Sequence, residues 1–263
     1  MPSLSKSRAI VLHLTRHGDS GAVVHVVDSE AGRQGLFVRG LGKGRGVSAS
    51  AFHNLAILDT VTYTTPRSSL LYLREYAPAV PLNGIRSDLA KSTVALFISE
   101  VLYRTLRSDD GDPDLFRWLV ESIVRFDAAE GSVANFHLWW MAGYCVRSGF
   151  RPQDNWSEER PLFDMVSASF VASSAFPSPP SAPAFTSASA SFPAPAQNGS
   201  LLSPEESRLL HLLLNSSLED ALAIPLSASR RRSFSGNMLR YLSIHFGVRL
   251  EVKSLDVLHA VFS

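Results

Sequence analysis

Between Arg8 and Tyr76 the chain repeatedly offers short β-branched or aromatic runs with turn residues between them, the pattern of a small all-β module. The runs are Ala9 to Thr15, Ala22 to Asp28, Gly35 to Leu41, Leu55 to Thr64 and Leu70 to Tyr76. The segments His17-Gly-Asp-Ser-Gly21 and Glu30-Ala-Gly-Arg-Gln-Gly35 supply glycines where the backbone must turn through positive φ. Five short strands leave exposed edges, and closure into a small barrel of the OB type removes them. An SH3-like barrel or an open sheet also fits the pattern.

Beyond Pro81 the period changes to that of helices. Ser87 to Leu106 places Val94, Phe97, Val101 and Leu102 or Tyr103 on one stripe. Asp112 followed by Pro113 predicts an N-cap and first turn for a helix through Phe116, Leu119, Val120 and Ile123. Ser132 introduces an aromatic helix, Phe136 to Tyr144, with Gly149 as its stop. Ser203-Pro-Glu-Glu206 has the form of a capping box ahead of Leu209, Leu210, Leu213 and Leu214. A further helix is expected from about Arg231 to Phe246, ended by Gly247, and a last one capped by Ser254. The expected fold is therefore α+β, with an N-terminal five-stranded OB-fold barrel over residues 1–80 and an all-α helical domain over 81–263. Residues 166–199, dominated by Ser, Ala and Pro and nearly free of charge, are expected to interrupt the helices as a mobile loop, because they bury too little apolar area to offset their ordering entropy.

Composition narrows the function. Of the 263 residues, 45% are hydrophobic, enough for packed cores. The net charge of +1 conceals opposed segments: ten Lys/Arg against five Asp/Glu over residues 1–86, then eight against thirteen over 87–164. Affinity for a polyanion is thus expected at the N-terminus. The single cysteine, Cys145, excludes an intrachain disulfide and a cysteine-ligated zinc site, and no cofactor is expected. The first residues lack a secretory pattern and no long apolar run is present, so the expected location is the cytoplasm.

The strongest candidates for binding are Arg33, Arg39, Lys43 and Arg45, on a turn, a strand and the loop Gly40-Leu-Gly-Lys-Gly-Arg-Gly46. Glycines let a phosphate backbone approach closely, and the aromatics Phe37, Phe52, His53 and Tyr63 are candidates for stacking on bases. The same loop lacks the spacing of a dinucleotide fingerprint or a Walker loop. Arg231 and Arg240 could extend the phosphate-binding surface, the former from a basic run, Arg230-Arg-Arg232, read as preceding a helix. Asp109, Asp110, Asp112 and Asp114 lack the ligand pattern of a calcium loop and are read as a solvated turn. Gly46-Val-Ser48-Ala-Ser50 breaks the nucleophile-elbow pattern, and the eight histidines form no metal motif, so no enzyme is expected. Trp139 and Trp140 diverge by about 100 degrees on a helix, so one of them is available to line a groove.

Read in order, Arg8-Ala-Ile-Val-Leu12, Gly35 to Arg45, Asn155-Trp-Ser-Glu-Glu-Arg-Pro-Leu-Phe-Asp164, Leu202 to Leu210 and Arg249 to Phe262 resemble the Bacteroidetes-type branch of the RecO family. The resemblance covers nearly the whole chain apart from the Ser/Ala/Pro segment. It implies an OB-fold followed by a helical domain, and a DNA-binding recombination mediator that handles single- and double-stranded DNA and anneals strands. The implied partners are RecR, with which it helps RecA replace single-stranded-DNA-binding protein, and that protein's acidic C-terminal tail. It also implies association with the nucleoid during repair. Many members carry a cysteine zinc finger, whose cysteines are absent here. Arg125, Phe136 and Trp140, chosen for their chemistry, are the expected groove for the acidic tail. The alternative is a protein-interaction adaptor built on the same barrel, with DNA incidental.

Overall fold

The computed structural model describes residues 4–18, 21–41, 48–65, 68–108, 111–173 and 200–263. Strands β1 (Leu4–His17), β2 (Gly21–Asp28), β3 (Gly32–Arg39), β4 (Ile57–Thr65) and β5 (Ser68–Pro78) form a closed barrel in the order β1-β2-β3-β5-β4, with β4 returning to β1. All neighbours are antiparallel except β3 and β5, which run parallel through Leu36↔Leu71 and Phe37↔Tyr72. That order is the OB-type solution to five strands without an open edge. Inward positions carry the alternating apolar residues Ala9, Val11, Val24, Val26, Leu36, Val38 and Leu58. A 3-10 turn, Ala49–Phe52, lays Phe52 against Tyr76 inside this core.

The outer face of the barrel is not uniformly open. Ile10, Leu12, Val27, Leu55 and Ile57 point away from the barrel core and belong to the core of the helices. A β-bulge between Val11 and His13 sets Leu12 apart, and Asn54 Nδ2 takes its carbonyl at 2.8 Å. Leu55 adopts a left-handed φ of 62° while fully buried, so packing against the helices offsets a backbone cost of about 1 kcal/mol or more.

Helices α1 (Asn83–Ser87), α2 (Leu89–Thr105), α3 (Pro113–Ala128) and α4 (Phe136–Arg147) follow the barrel. Asp88 caps α2 through Lys91 N–H, and Asp112 caps α3 through Asp114 and Leu115 N–H, confirming the Asp112-Pro113 start. The aromatic helix begins after Asn135, with no side-chain cap from Ser132, and closes beyond Arg147 with Gly149 at a φ of 82°. Strands β6 (Leu162–Asp164) and β7 (Ser169–Val171) then form a hairpin. The start of the expected mobile loop is therefore ordered as far as Ser173, and residues 174–199 lie outside the described ones. Helices α5 (Pro204–Asn215), α6 (Leu218–Ala223), α7 (Ala228–Phe246) and α8 (Ser254–Val261) complete the chain. The capping box at Ser203 and Glu206 forms as expected, and Gly247 ends α7 at a φ of 62°.

Two sequence expectations are corrected here. Arg230, Arg231 and Arg232 do not precede α7: Ser227 caps that helix, so the basic run occupies its first turn. Ser254 is not the cap of α8 but its first residue, and its hydroxyl donates to Glu100 on α2 at 2.7 Å. The causes differ: α7 starts earlier because of a local cap, Ser227, whereas Ser254 is drawn to a tertiary partner, Glu100.

His137 is fully buried on α4, with Nε2 2.9 Å from Ser235 Oγ. Burial, with the nearby His259 and Arg231 adding to it, depresses its pKa from 6.5 to about 3. The unfolded chain therefore binds a proton that the folded one refuses between these values. Stability is complete above pH 6.5 and falls as the pH drops towards about 3, by on the order of a few kcal/mol. Urea denaturation at stepped pH is expected to show this slope, and His137→Gln to flatten it. Asn155 holds the β6–β7 hairpin by donating to Phe170 C=O at 3.0 Å and accepting from Phe170 N–H at 2.9 Å. Asn155→Ala is expected to cost about 1–3 kcal/mol in the same assay, whereas a chelator leaves the wild-type midpoint unchanged.

Candidate nucleic-acid interface

On β3, Leu36 and Val38 face the barrel core, so Arg33, Gly35, Phe37 and Arg39 share the outer face. Strand pairing extends that face sideways, because Phe37 lies beside Tyr72 and Tyr72 beside Tyr63. The three rings form a continuous belt: Tyr63 and Tyr72 stack at 5.2 Å and 20°, and Phe37 meets Tyr72 edge-on at 5.6 Å. His17 continues it at 6.2 Å from Phe37. Arg39, exposed, places its guanidinium 4.9 Å above the Tyr72 ring. Gly21 is required beneath this belt, since a Cβ there would lie 3.0 Å from the Phe37 ring and 2.8 Å from the His17 carbonyl.

The belt lies at the end of the barrel where the last residues of β1, β3 and β4 and the first of β2 and β5 come together. In an OB-type barrel the outer face of strands 2 and 3 with the loops between strands 1–2 and 4–5 is the face that accepts oligonucleotides. Lys43 and Arg45 fall in the segment after Arg39 but lie outside the described residues. Half-buried rings offer π-faces to unstacked bases, and a cation over one of them supplies a phosphate contact.

Arg33 does not join Arg39. Six residues separate them on one strand, about 20 Å. Arg33 Nη1 donates to Tyr103 C=O on α2 at 3.0 Å, and its guanidinium covers the Tyr103 ring at 4.7 Å. Its backbone N–H donates to Arg107 C=O. This arginine fastens the barrel to the helices. His25 meets the same ring at 5.0 Å, and its pKa is lowered by burial first, then by His13 and Arg33.

Of the remaining expected residues, Arg231 is spent inside the fold: Nη1 donates to Leu226 C=O at 2.6 Å and Nη2 to Phe262 C=O at 2.7 Å. Arg240 is exposed on α7, which packs on α4. Phe52 is in the barrel core and His53 is half-buried beside Asn54, so neither joins the belt. Tyr72, His17 and Gly21 went unrecognised in the sequence. The alternation Leu70-Tyr72-Arg74 marks Tyr72 as an outer residue, but only the register places it beside Phe37 and Tyr63.

On the helical side, Phe136 and Trp140 are 1% and 0% exposed, so the groove expected over them does not form there. Phe136 stacks on Phe126, and Trp140 lies between Trp118 and Tyr144. The helical divergence instead turns Trp139 outward, with Arg125 5.8 Å above its ring. Arg125 also donates to both oxygens of Glu219, at 3.0 and 3.1 Å. Beside this pair opens a cavity of about 570 Å³ lined by Arg125, Ala129, Leu218 and Leu222 among others.

Cys145 is buried in α4, where burial pushes its thiol pKa up and away from ionisation. Among the described residues no group of three or more His, Cys, Asp or Glu could hold a metal ion. The residues therefore do not fit a cysteine zinc site. The region between α4 and α5 is held by apolar contacts instead, with Phe163 against Phe170 and Tyr241, and Trp156 stacked on His211. Asp112 serves as a helix cap, in keeping with a solvated turn, while Asp109 and Asp110 lie outside the described residues. Among the described residues no helix is long and apolar enough to cross a membrane.

Residues 86–157 match the family model for the C-terminal part of recombination protein O. Along nearly its whole length the chain is similar to proteins named DNA repair protein RecO. It is 28% identical to that of Phocaeicola vulgatus, covering 99% of this chain and 100% of the relative. It is 24% identical to that of Azobacteroides pseudotrichonymphae, covering 98% and 99%. The Porphyromonas gingivalis protein is 28% identical, with 97% and 98% covered. A five-stranded OB-type barrel followed by helices and an outer face that joins rings to a cation thus stand in a chain that is similar from end to end to proteins named DNA repair protein RecO.

Proposed function

We propose that this protein is a DNA repair protein of the RecO family and acts without catalysis, as a recombination mediator that binds single- and double-stranded DNA and anneals strands. The observation that carries this reading is Arg39 above the half-buried belt of Phe37, Tyr72 and Tyr63. Stacking of unpaired bases contributes roughly 1–3 kcal/mol per base, and it tolerates any sequence because every base has a π-face. Cations at this end of the barrel, with Lys43 and Arg45 in the adjoining segment, hold the phosphates. Strands held by their backbones and kept close leave Watson–Crick edges free to pair, which is what annealing requires.

The cavity lined by Arg125, whose guanidinium lies over the Trp139 ring, is the proposed seat for the acidic C-terminal tail of single-stranded-DNA-binding protein. Its floor is apolar, and a guanidinium at its rim can exchange Glu219 for a carboxylate of the peptide. With DNA on the barrel and the tail on the helices, the protein works with RecR to let RecA take over the strand.

Anisotropy titrations of a labelled single-stranded oligonucleotide at two salt concentrations test the barrel. Tyr72→Ala is expected to weaken binding by about tenfold. Arg39→Glu is expected to weaken it further and to reduce the slope of log affinity against log salt by about one. Unchanged affinity and slope in both variants would refute the DNA reading and favour the adaptor. Titration with an acidic, aromatic-ended peptide tests the helical cavity: Trp139→Ala and Arg125→Glu should each lower its affinity by about tenfold or more, while leaving oligonucleotide binding intact.

A further inference from the structure

A second cavity, of about 370 Å³, opens where the barrel meets α2 and the start of α8. Its α2 wall is one stripe: Leu96, Ser99, Glu100, Tyr103 and Arg104 recur at intervals of three and four. Leu12, displaced by the β1 bulge, and His13 form the barrel side, and Lys253 the third side.

Two features distinguish this cavity from a packing gap. The first is Ser99, which lines it at 1% exposure with a hydroxyl that has no hydrogen-bond partner among the described residues. Other hydroxyls on these helices return to their own backbone: Thr93 to Leu89 C=O, Thr105 to Val101 C=O, Ser122 to Leu119 C=O. A buried hydroxyl left unpaired is destabilising, so a polar group supplied from outside would be stabilised there.

The second is the charge at the mouth. Lys253 is exposed, and Arg104 uses Nε and Nη2 on Glu100. The Glu100 carboxylate is already committed. It accepts from Lys253 N–H at 3.1 Å, Ser254 N–H at 2.9 Å and the Ser254 hydroxyl at 2.7 Å. Burial alone would raise its pKa, but these donors and Arg104 outweigh burial and hold it below the usual carboxylate range. With Glu100 paired to Arg104, Lys253 leaves one excess positive charge at the rim, where Leu96 is exposed, and buried Leu12 forms an apolar floor.

We propose that this cavity binds a single nucleotide unit, its phosphate at Lys253 and Arg104 and its base over Leu12 and Leu96. The volume is at the lower end for small-ligand sites. Two sources share this chemistry: a free nucleoside monophosphate, and the 5′-phosphorylated end of a strand lying on the barrel. The second is within reach, because His13 of the cavity and His17 of the belt are four residues apart on β1, about 13 Å. The strand-end form rests on the reading of the barrel face as a DNA platform; affinity for a nucleotide unit does not.

The test uses the full chain in two arms. Calorimetric titration with deoxyadenosine monophosphate is expected to show one saturable site per chain. Lys253→Glu and Leu96→Trp each alter an exposed side chain at the rim, and each should weaken that binding about tenfold or more. Arg39→Glu should leave it unchanged. In the second arm, a 5′-phosphorylated oligothymidylate is compared with its 5′-hydroxyl form. A several-fold preference for the phosphorylated form, erased by Lys253→Glu, identifies the strand end as occupant; saturable mononucleotide binding without that preference identifies the free nucleotide. The proposal is overturned if neither probe shows a phosphate-dependent, saturable site. It is also overturned if both rim variants bind like wild type, or if mononucleotide binding is lost with Arg39→Glu, which would assign it to the belt. Loss of oligonucleotide binding in Arg39→Glu alone speaks only to the barrel.

Discussion

Everything in this molecule follows from how a small barrel hides the apolar residues on its outside. Closure takes care of strand edges and fills the interior, but Ile10, Leu12, Val27, Leu55 and Ile57 face outward and would be left in water. They are sealed by the helices, making one seam along β1, β2 and the start of β4. At about 25 cal/mol per Å² of apolar surface removed from water, that seam orders the rest. It tolerates a bulge at Leu12 and a left-handed Leu55, and it recruits Arg33 to its margin, stacked on Tyr103. Because the seam consumes one side of the barrel, the belt of Phe37, Tyr72 and Tyr63 is the aromatic surface that stays open.

The far end of the chain obeys an analogous constraint. Helix α8 has eight residues, too few to be stable by itself. Its two ends are held by charges of the sign that the helix dipole favours. Glu100 of α2 receives the N–H groups at its start, and Arg231 of α7 donates to Phe262 C=O at its finish. This accounts for a basic run in the first turn of α7, where the dipole of α7 itself disfavours it. Arg231 is positioned for α8, and Arg230 meets Glu205 of α5 at 2.7 Å. The same clamp shapes the wall of the cavity at Lys253, so the stabilisation of the last helix and the chemistry at the seam share one carboxylate.

The sequence alone locates all five strands, because β-branched or aromatic runs bounded by turn residues are local features, and it identifies the starts of α3 and α5, because Asp112-Pro113 and Ser203-Pro-Glu-Glu206 carry their caps within four residues. Short helices α1 and α6 escaped, being five and six residues long and held by packing. The first part of the Ser/Ala/Pro segment was misread for a related reason. Phe170 is ordered by Asn155, fifteen residues earlier, and no window of composition reveals that partner.

By itself, the order of residues determined that a basic N-terminal third would make a small all-β module and that the remainder would be largely helical, since charge balance, strand-forming runs and caps are read over a few neighbouring positions; closure of the barrel was decided by pairing between distant strands. It also determined that Trp139 and Trp140 would part company, as helical geometry demands. Which of the two faces outward was decided by tertiary packing, where Trp118 and Tyr144 enclose Trp140 and Arg125 meets Trp139. Tertiary structure likewise separated Arg33 from Arg39, close in sequence and of one chemistry. One end of β3 is pressed against α2 and the other is open, and only contacts between residues far apart in the chain can distinguish the two.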